Sequence, residues 1–225
     1  MVPRGHRVAT WQLLPSLARK SKNLAESEAA LMKRFKQDSS EFLESEPKTS
    51  SDWLFLMQHH RVPTRLLDWS ESALVGLYFA VEQSPQSDED FDGCIWVMWP
   101  QRLNALSNIK PNNNWDLPML GESPELDNYS HERIVTLTQS RLSPIAATAR
   151  RGFRRVIAQA GVFTVIHLDT KPIEDMSVGK HLVKVTIPSG AKPAIRKELD
   201  LLNITTRRLF PELDRIGEYV SKFIP

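Results

Sequence analysis

The chain has 225 residues, 41% of them hydrophobic, with 29 Lys and Arg against 27 Asp and Glu for a net charge of +2. This is globular composition with enough material for one core, and it excludes a largely disordered chain or a general nucleic-acid coat with a clear basic excess. The lone cysteine, Cys94, excludes an intramolecular disulfide framework and a multi-cysteine metal site and suits a reducing cytosol, and the longest apolar run, residues 53–57, is far too short for a membrane-spanning helix.

The opening 20 residues are basic and free of acid but lack a clean amphipathic period, so a folded segment is preferred to a transit peptide. Val2-Pro3-Arg4-Gly5 reads either as native sequence or as the remnant of a protease-cleavable tag. Residues 23–45 have helical spacing, with Leu24, Leu31, Phe35, Phe42 and Leu43 on a broad apolar face and Glu26, Glu28, Lys33, Lys36 and Glu41 outside it. Residues 46–52 read as a loop in which Asp52 caps a short apolar helix over 53–60, ended by Pro63. The next helix is expected from Ser70 or Ser72 to Gln83, with Ala73, Leu77, Ala80 and Val81 on its inner face.

Residues 84–93 form an acidic, turn-rich connection whose spacing is incomplete for a calcium loop, and 94–99 a mostly buried strand. A long polar excursion fills 107–132, a mixed helix or turn 147–160, and β-branched content predicts strands over 162–168 and 181–187. Helical patterns over 193–202 and 211–223 close the chain.

Donors and acceptors are densest in Gln58-His59-His60-Arg61-Val62-Pro63-Thr64-Arg65-Leu66-Leu67-Asp68-Trp69-Ser70, at a helix–turn–strand junction. Arg65 and Asp68 are placed to pair, since buried charge persists only when paired or ligand-bound; a polar network that merely fixes a turn has the same signature. A metal at His59, His60 and Asp68 is disfavoured, because adjacent helical residues diverge by about 100°, and no metal is expected. Arg150 with Arg154, and Arg151 with Arg155, lie four apart, where like charges repel unless a phosphate or an acid neutralises them. A nucleic-acid backbone, a phosphate-bearing ligand, the acidic loop and a solvated face all fit that cluster.

The block at 58–70, followed by Ser72 and by Gly76-Leu77-Tyr78-Phe79-Ala80, resembles the central block of the FRG domain of bacteria and phages. Similar stretches are Arg4-Gly5 with residues 11–17, Asp92-Gly93 with Trp96-Val97, Arg155 with 159–164, and 209–214. The resemblance implies a single FRG-like domain over 1–225 whose N-terminal edge falls on its own motif, as if shortened there. The family's Tyr-Gly is His60-Arg61 here, and Pro3 replaces the aromatic before Arg-Gly.

The pattern is also similar, at motif level, to arginine-type ADP-ribosyltransferases. That likeness implies an α+β fold, a small mostly antiparallel sheet with helices packed around it, and a cleft for NAD as substrate. Carried over residue by residue, it gives Arg4 the NAD phosphates and assigns Gly5, His59, Thr64, Arg65, Trp69, Ser70, Ser72 and Tyr78 to the nucleotide site. Gln159 falls where the catalytic acid is expected; a Gln can hydrogen-bond a ribose hydroxyl but lacks the charge, which makes Asp68 the candidate carboxylate. The implied protein is a cytoplasmic NAD-binding enzyme or effector of toxin or antiphage type, acting on a protein or nucleic-acid acceptor and not on a membrane. The alternative is a non-catalytic interaction or nucleic-acid-binding module using Arg150–Arg155.

Overall fold

The computed structural model describes residues 1–83, 88–110, 116–137, 142–149, 161–176, 181–210, 217, 220 and 221. Their strands form two three-stranded antiparallel sheets. The first has β1 (Val2–His6) and β6 (Leu182–Ile187) flanking β3 (Gly93–Met98); the second has β2 (Leu66–Ser70) and β4 (Ile145–Ala147) flanking β5 (Gly161–Val165). The helices are α1 (Ser16–Lys20), α2 (Leu24–Ser39), α3 (Ser50–His59), α4 (Ala73–Val81), α5 (Pro100–Leu106), α6 (His131–Thr136), α7 (Lys192–Leu201) and α8 (Thr206–Leu209). The α+β class expected from the sequence is the class adopted, with its antiparallel strands divided between two sheets. Among the described residues no helix is long and apolar enough to cross a membrane.

Helix α3 carries its own start and stop signals. Thr49, not Asp52, is its N-cap: Thr49 Oγ1 accepts from the Asp52 amide at 3.1 Å, and Asp52 Oδ2 accepts from the Thr49 amide at 3.0 Å, a reciprocal capping box. At the other end the Val62 amide donates to the Met57 carbonyl (2.9 Å) and the Arg61 amide to that of Gln58 (3.1 Å). This six-to-one closure requires a left-handed residue, and Arg61 supplies it at φ 62°. Arg61 thus occupies the position where the FRG pattern has glycine, and the backbone explains that glycine.

Helix α2 ends earlier than its sequence pattern, and Phe42 is 76% exposed rather than part of the apolar face. Glu28, expected on the polar side, is buried. It stands four residues after Leu24 and four before Met32, both buried, so helical geometry carries it inward.

Helix α4 is apolar on almost every side, so its periodicity does not define its inner face. Val75, Gly76, Tyr78, Ala80 and Val81 are buried, whereas the expected Ala73 is exposed. Backbone approach decides this. A Cβ on Gly5 would meet the Gly76 carbonyl oxygen at 2.1 Å and the Ala80 nitrogen at 2.4 Å, and a Cβ on Gly76 would meet Pro3 Cβ at 2.8 Å. Strand β1 and α4 therefore touch through paired glycines, a contact closed to any larger residue at position 5.

In the described part of the acidic connection two acids are anchored to the fold, while Asp90 and Asp92 are exposed. Asp88 is buried and pairs with Arg7 at 3.3 Å, and Glu89 receives both ends of the Arg196 fork at 2.9 and 3.1 Å.

Candidate functional site

Side-chain alternation along two neighbouring strands creates the cleft. On β1, Pro3 and Gly5 face α4, which leaves Arg4 and His6 on the other side. On β2, Leu67 and Trp69 pack in one core with Val2, Met98 and Val162, and the alternate residues Asp68 and Ser70 share the face of their register partners Phe163 and Gly161. Between β1 and β2 lies a cleft of about 530 Å³, within the size range of small-molecule sites. Its walls include Arg4, Gly5, His6 and Trp11 from the β1 side and His59, Asp68 and Ser70 from the other.

Arg4 is oriented by neutral groups. Its Nε donates to His6 Nε2 at 2.9 Å and its Nη1 to the Asp68 carbonyl oxygen at 2.5 Å. His6 Nδ1 faces the Trp11 carbonyl oxygen at 3.2 Å, so the proton belongs on Nδ1 and the Nε2 lone pair is left to accept from Arg4. Burial, then the Arg4 charge, pushes the His6 pKa down to about 3. The imidazole is neutral at physiological pH. Burial also lowers the Arg4 pKa to about 10, opposed by Asp68, and Arg4 stays cationic. A second arginine on the wall, Arg19, donates to the Leu14 carbonyl oxygen at 2.6 Å. Among the described residues neither Arg4 nor Arg19 contacts a carboxylate. The Asp68 carboxylate is fixed instead by Gln58, whose Nε2 donates to Oδ2 at 2.7 Å while its Oε1 accepts from Thr64 Oγ1.

Several expected cleft residues lie elsewhere. Arg65 is 1% exposed and pairs with Glu28, not Asp68: its Nε donates to Glu28 Oε2 at 2.7 Å, and its terminal nitrogens donate to the carbonyls of Ile166 (3.2 Å) and Tyr129. His131 Nδ1 completes the network on Glu28 Oε1 at 3.0 Å. Burial raises the Glu28 pKa, but Arg65 and His131 outweigh it and hold the carboxyl below its ordinary value. Arg65 is thereby a structural cation joining α2, β2 and the loop before α6.

Thr64 is fully buried and acts through Gln58. Ser72 is the N-cap of α4, accepting from the Val75 amide at 3.5 Å. The Tyr78 hydroxyl lies 2.8 Å from Thr206 Oγ1, and burial followed by Glu82 pushes its pKa up. Trp69 borders the cleft, but its ring is in the core and its Nε1 donates to Thr164 Oγ1 at 3.0 Å, so it offers no stacking face. Gly5 serves the contact with α4. His59 lines the cleft, its ring edge-on to His60 with centroids 4.8 Å apart. Gln159 and Arg150–Arg155 lie outside the described residues; Gly161, two positions after Gln159, lines the cleft.

The sequence signal for His6 was its position two residues after Arg4 on a strand, hence the same face. Trp11 and Arg19 carried no such signal, because only the turn after β1 and the packing of α1 bring them to the wall.

No curated protein and no solved structure matches the chain significantly. The family model of the FRG domain matches residues 1–89, the segment holding β1, α3, β2 and α4 together with Arg4, Asp68 and Ser70. The similar stretches at 92–97, 155–164 and 209–214 fall beyond that match. An FRG domain is therefore present over the part of the chain that builds most of the cleft.

Proposed function

We propose that the cleft binds NAD with its diphosphate on Arg4, and that the protein is an ADP-ribosyltransferase-like enzyme or an NAD-binding effector of toxin or antiphage type. The carrying observation is the setting of Arg4, a partly desolvated guanidinium aimed by a neutral imidazole and a carbonyl, with no carboxylate in contact among the described residues. Desolvating a cation without an ion pair is unfavourable, and a diphosphate supplies the missing charge in a geometry that a guanidinium matches.

The remaining polar groups fit the reacting end. Breaking the bond between ribose C1′ and the nicotinamide nitrogen leaves the electron pair on nicotinamide and an oxocarbenium-like ribose. In this reading the Asp68 carboxylate, held by Gln58, stabilises that charge, and Gln159 and Ser70 hydrogen-bond ribose hydroxyls. A nucleophile on a protein or nucleic-acid acceptor then bonds to C1′ and releases its proton to solvent.

Titration calorimetry of the folded chain with NAD and ADP-ribose tests the binding. Arg4→Ala is expected to weaken it by about tenfold or more, since a charge-assisted hydrogen bond contributes about 1.5–3 kcal/mol. Failure of both ligands to bind the wild-type chain would overturn the reading. Transfer of label from NAD, lost in Asp68→Asn and Gln159→Ala without loss of folding, would separate the enzyme from the effector.

A further inference from the structure

Among the aromatic side chains on the cleft wall, Phe55, Trp69 and Phe163 are buried in the cores and the half-buried Phe79 is edge-on to Tyr78 and Phe210, whereas Trp11 keeps 42% of its surface exposed. Its position is nonetheless fixed. Its amide donates to the Val8 carbonyl oxygen at 3.1 Å, and its own carbonyl accepts from His6 Nδ1. The ring lies 6.2 Å from His6, tilted by 60°, with the Arg7 guanidinium 5.5 Å from its centroid and Arg7 anchored in turn by Asp88. A contact chain therefore runs from the exposed indole through His6 to Arg4 and on to Asp68. A partly exposed indole on the wall that also carries Arg4 and Arg19, two guanidiniums without a carboxylate contact among the described residues, is the arrangement that takes a planar base and its phosphates together.

We propose that Trp11 is the base-stacking residue of this cleft and that the ligand class is a nucleoside diphosphate, its base on the indole and its diphosphate between Arg4 and Arg19. The assignment rests on the NAD reading only in placing a nucleotide in the cleft; it specifies which end of the nucleotide sits where, and it makes Trp11 and Arg19 binding residues.

The test is calorimetric titration of the full chain with ADP and, separately, with inorganic diphosphate. Trp11→Ala is expected to weaken ADP by about tenfold and to leave inorganic diphosphate unchanged, because stacking contributes about 1–3 kcal/mol per base. Trp11→Phe, which keeps an aromatic face, stays within about threefold of wild type for both. Arg19→Gln weakens both ligands. Trp11→Ala binding ADP like wild type would overturn the proposal, as would equal losses for ADP and inorganic diphosphate, the sign of a merely structural role. Wild-type protein that binds ADP through Trp11 but does not bind NAD would remove the NAD reading and leave this assignment standing. NAD binding indifferent to Trp11→Ala would do the reverse, and a wild-type chain binding neither ligand would end both.

Discussion

Two arginines flank the same strand-and-helix framework and have opposite surroundings. Arg65 is enclosed by Glu28, two backbone carbonyls and the core, so its charge is paired and each of its three nitrogens donates within the fold. Arg4 is held by a neutral ring and one carbonyl at the edge of a cleft, so its charge remains for something outside the chain. The contrast teaches that a motif arginine is assigned by its partners and not by its place in the motif, since Arg65 sits inside the most distinctive sequence block and Arg4 in the middle of β1.

Substitutions sharpen this contrast. The largest effect is expected at Arg65→Ala, which strands the Glu28 carboxylate in the core and should cost about 3–5 kcal/mol in urea unfolding; a loss below about 1 kcal/mol would show that the pair is not the structural one. Next, Gly5→Ala forces β1 off α4 and should cost about 1–3 kcal/mol, detectable as a lowered melting temperature without any change at Arg65.

A pH series tests the cleft side. His6 is neutral when folded but takes a proton near pH 6.5 when unfolded, so the unfolded chain binds more protons between pH 6.5 and about 3. Stability should therefore decline as pH falls through that window, and His6→Gln should flatten the slope. Glu28 adds a second loss that begins inside the same window: its folded pKa is depressed, so its contribution is complete above the ordinary carboxyl range and is lost as pH falls through the folded pKa. An unchanged slope in His6→Gln would contradict the neutral imidazole. The smallest effect is a gain: Arg61→Gly relieves a left-handed, exposed residue and should stabilise the chain by about 0.5–1 kcal/mol, with ligand affinity unaltered.

Much of the scaffold was legible. The dense block at 58–70 announced a helix, a turn and a strand, and α3 and β2 stand there because capping residues, Pro63 and β-branched or aromatic content act locally. Strand alternation also places Arg4 with His6 and Asp68 with Ser70. The misreadings share one cause. The resemblance assigns Arg65, Tyr78 and Trp69 to the nucleotide site and charge puts Glu28 on the surface, but each side chain is governed by a partner 37 to 128 residues away.

The sequence by itself determined the α+β class and the positions of the main helices and strands, because periodicity, caps and turn residues act over a few positions, whereas the grouping of Arg4, Asp68 and Ser70 is what the family resemblance implies. Only the tertiary structure decided which arginine has a carboxylate, which face of α4 turns inward, and that Trp11 rather than Trp69 keeps an exposed ring on the cleft wall. Those outcomes depend on desolvation and on contacts between distant segments, which no local pattern encodes.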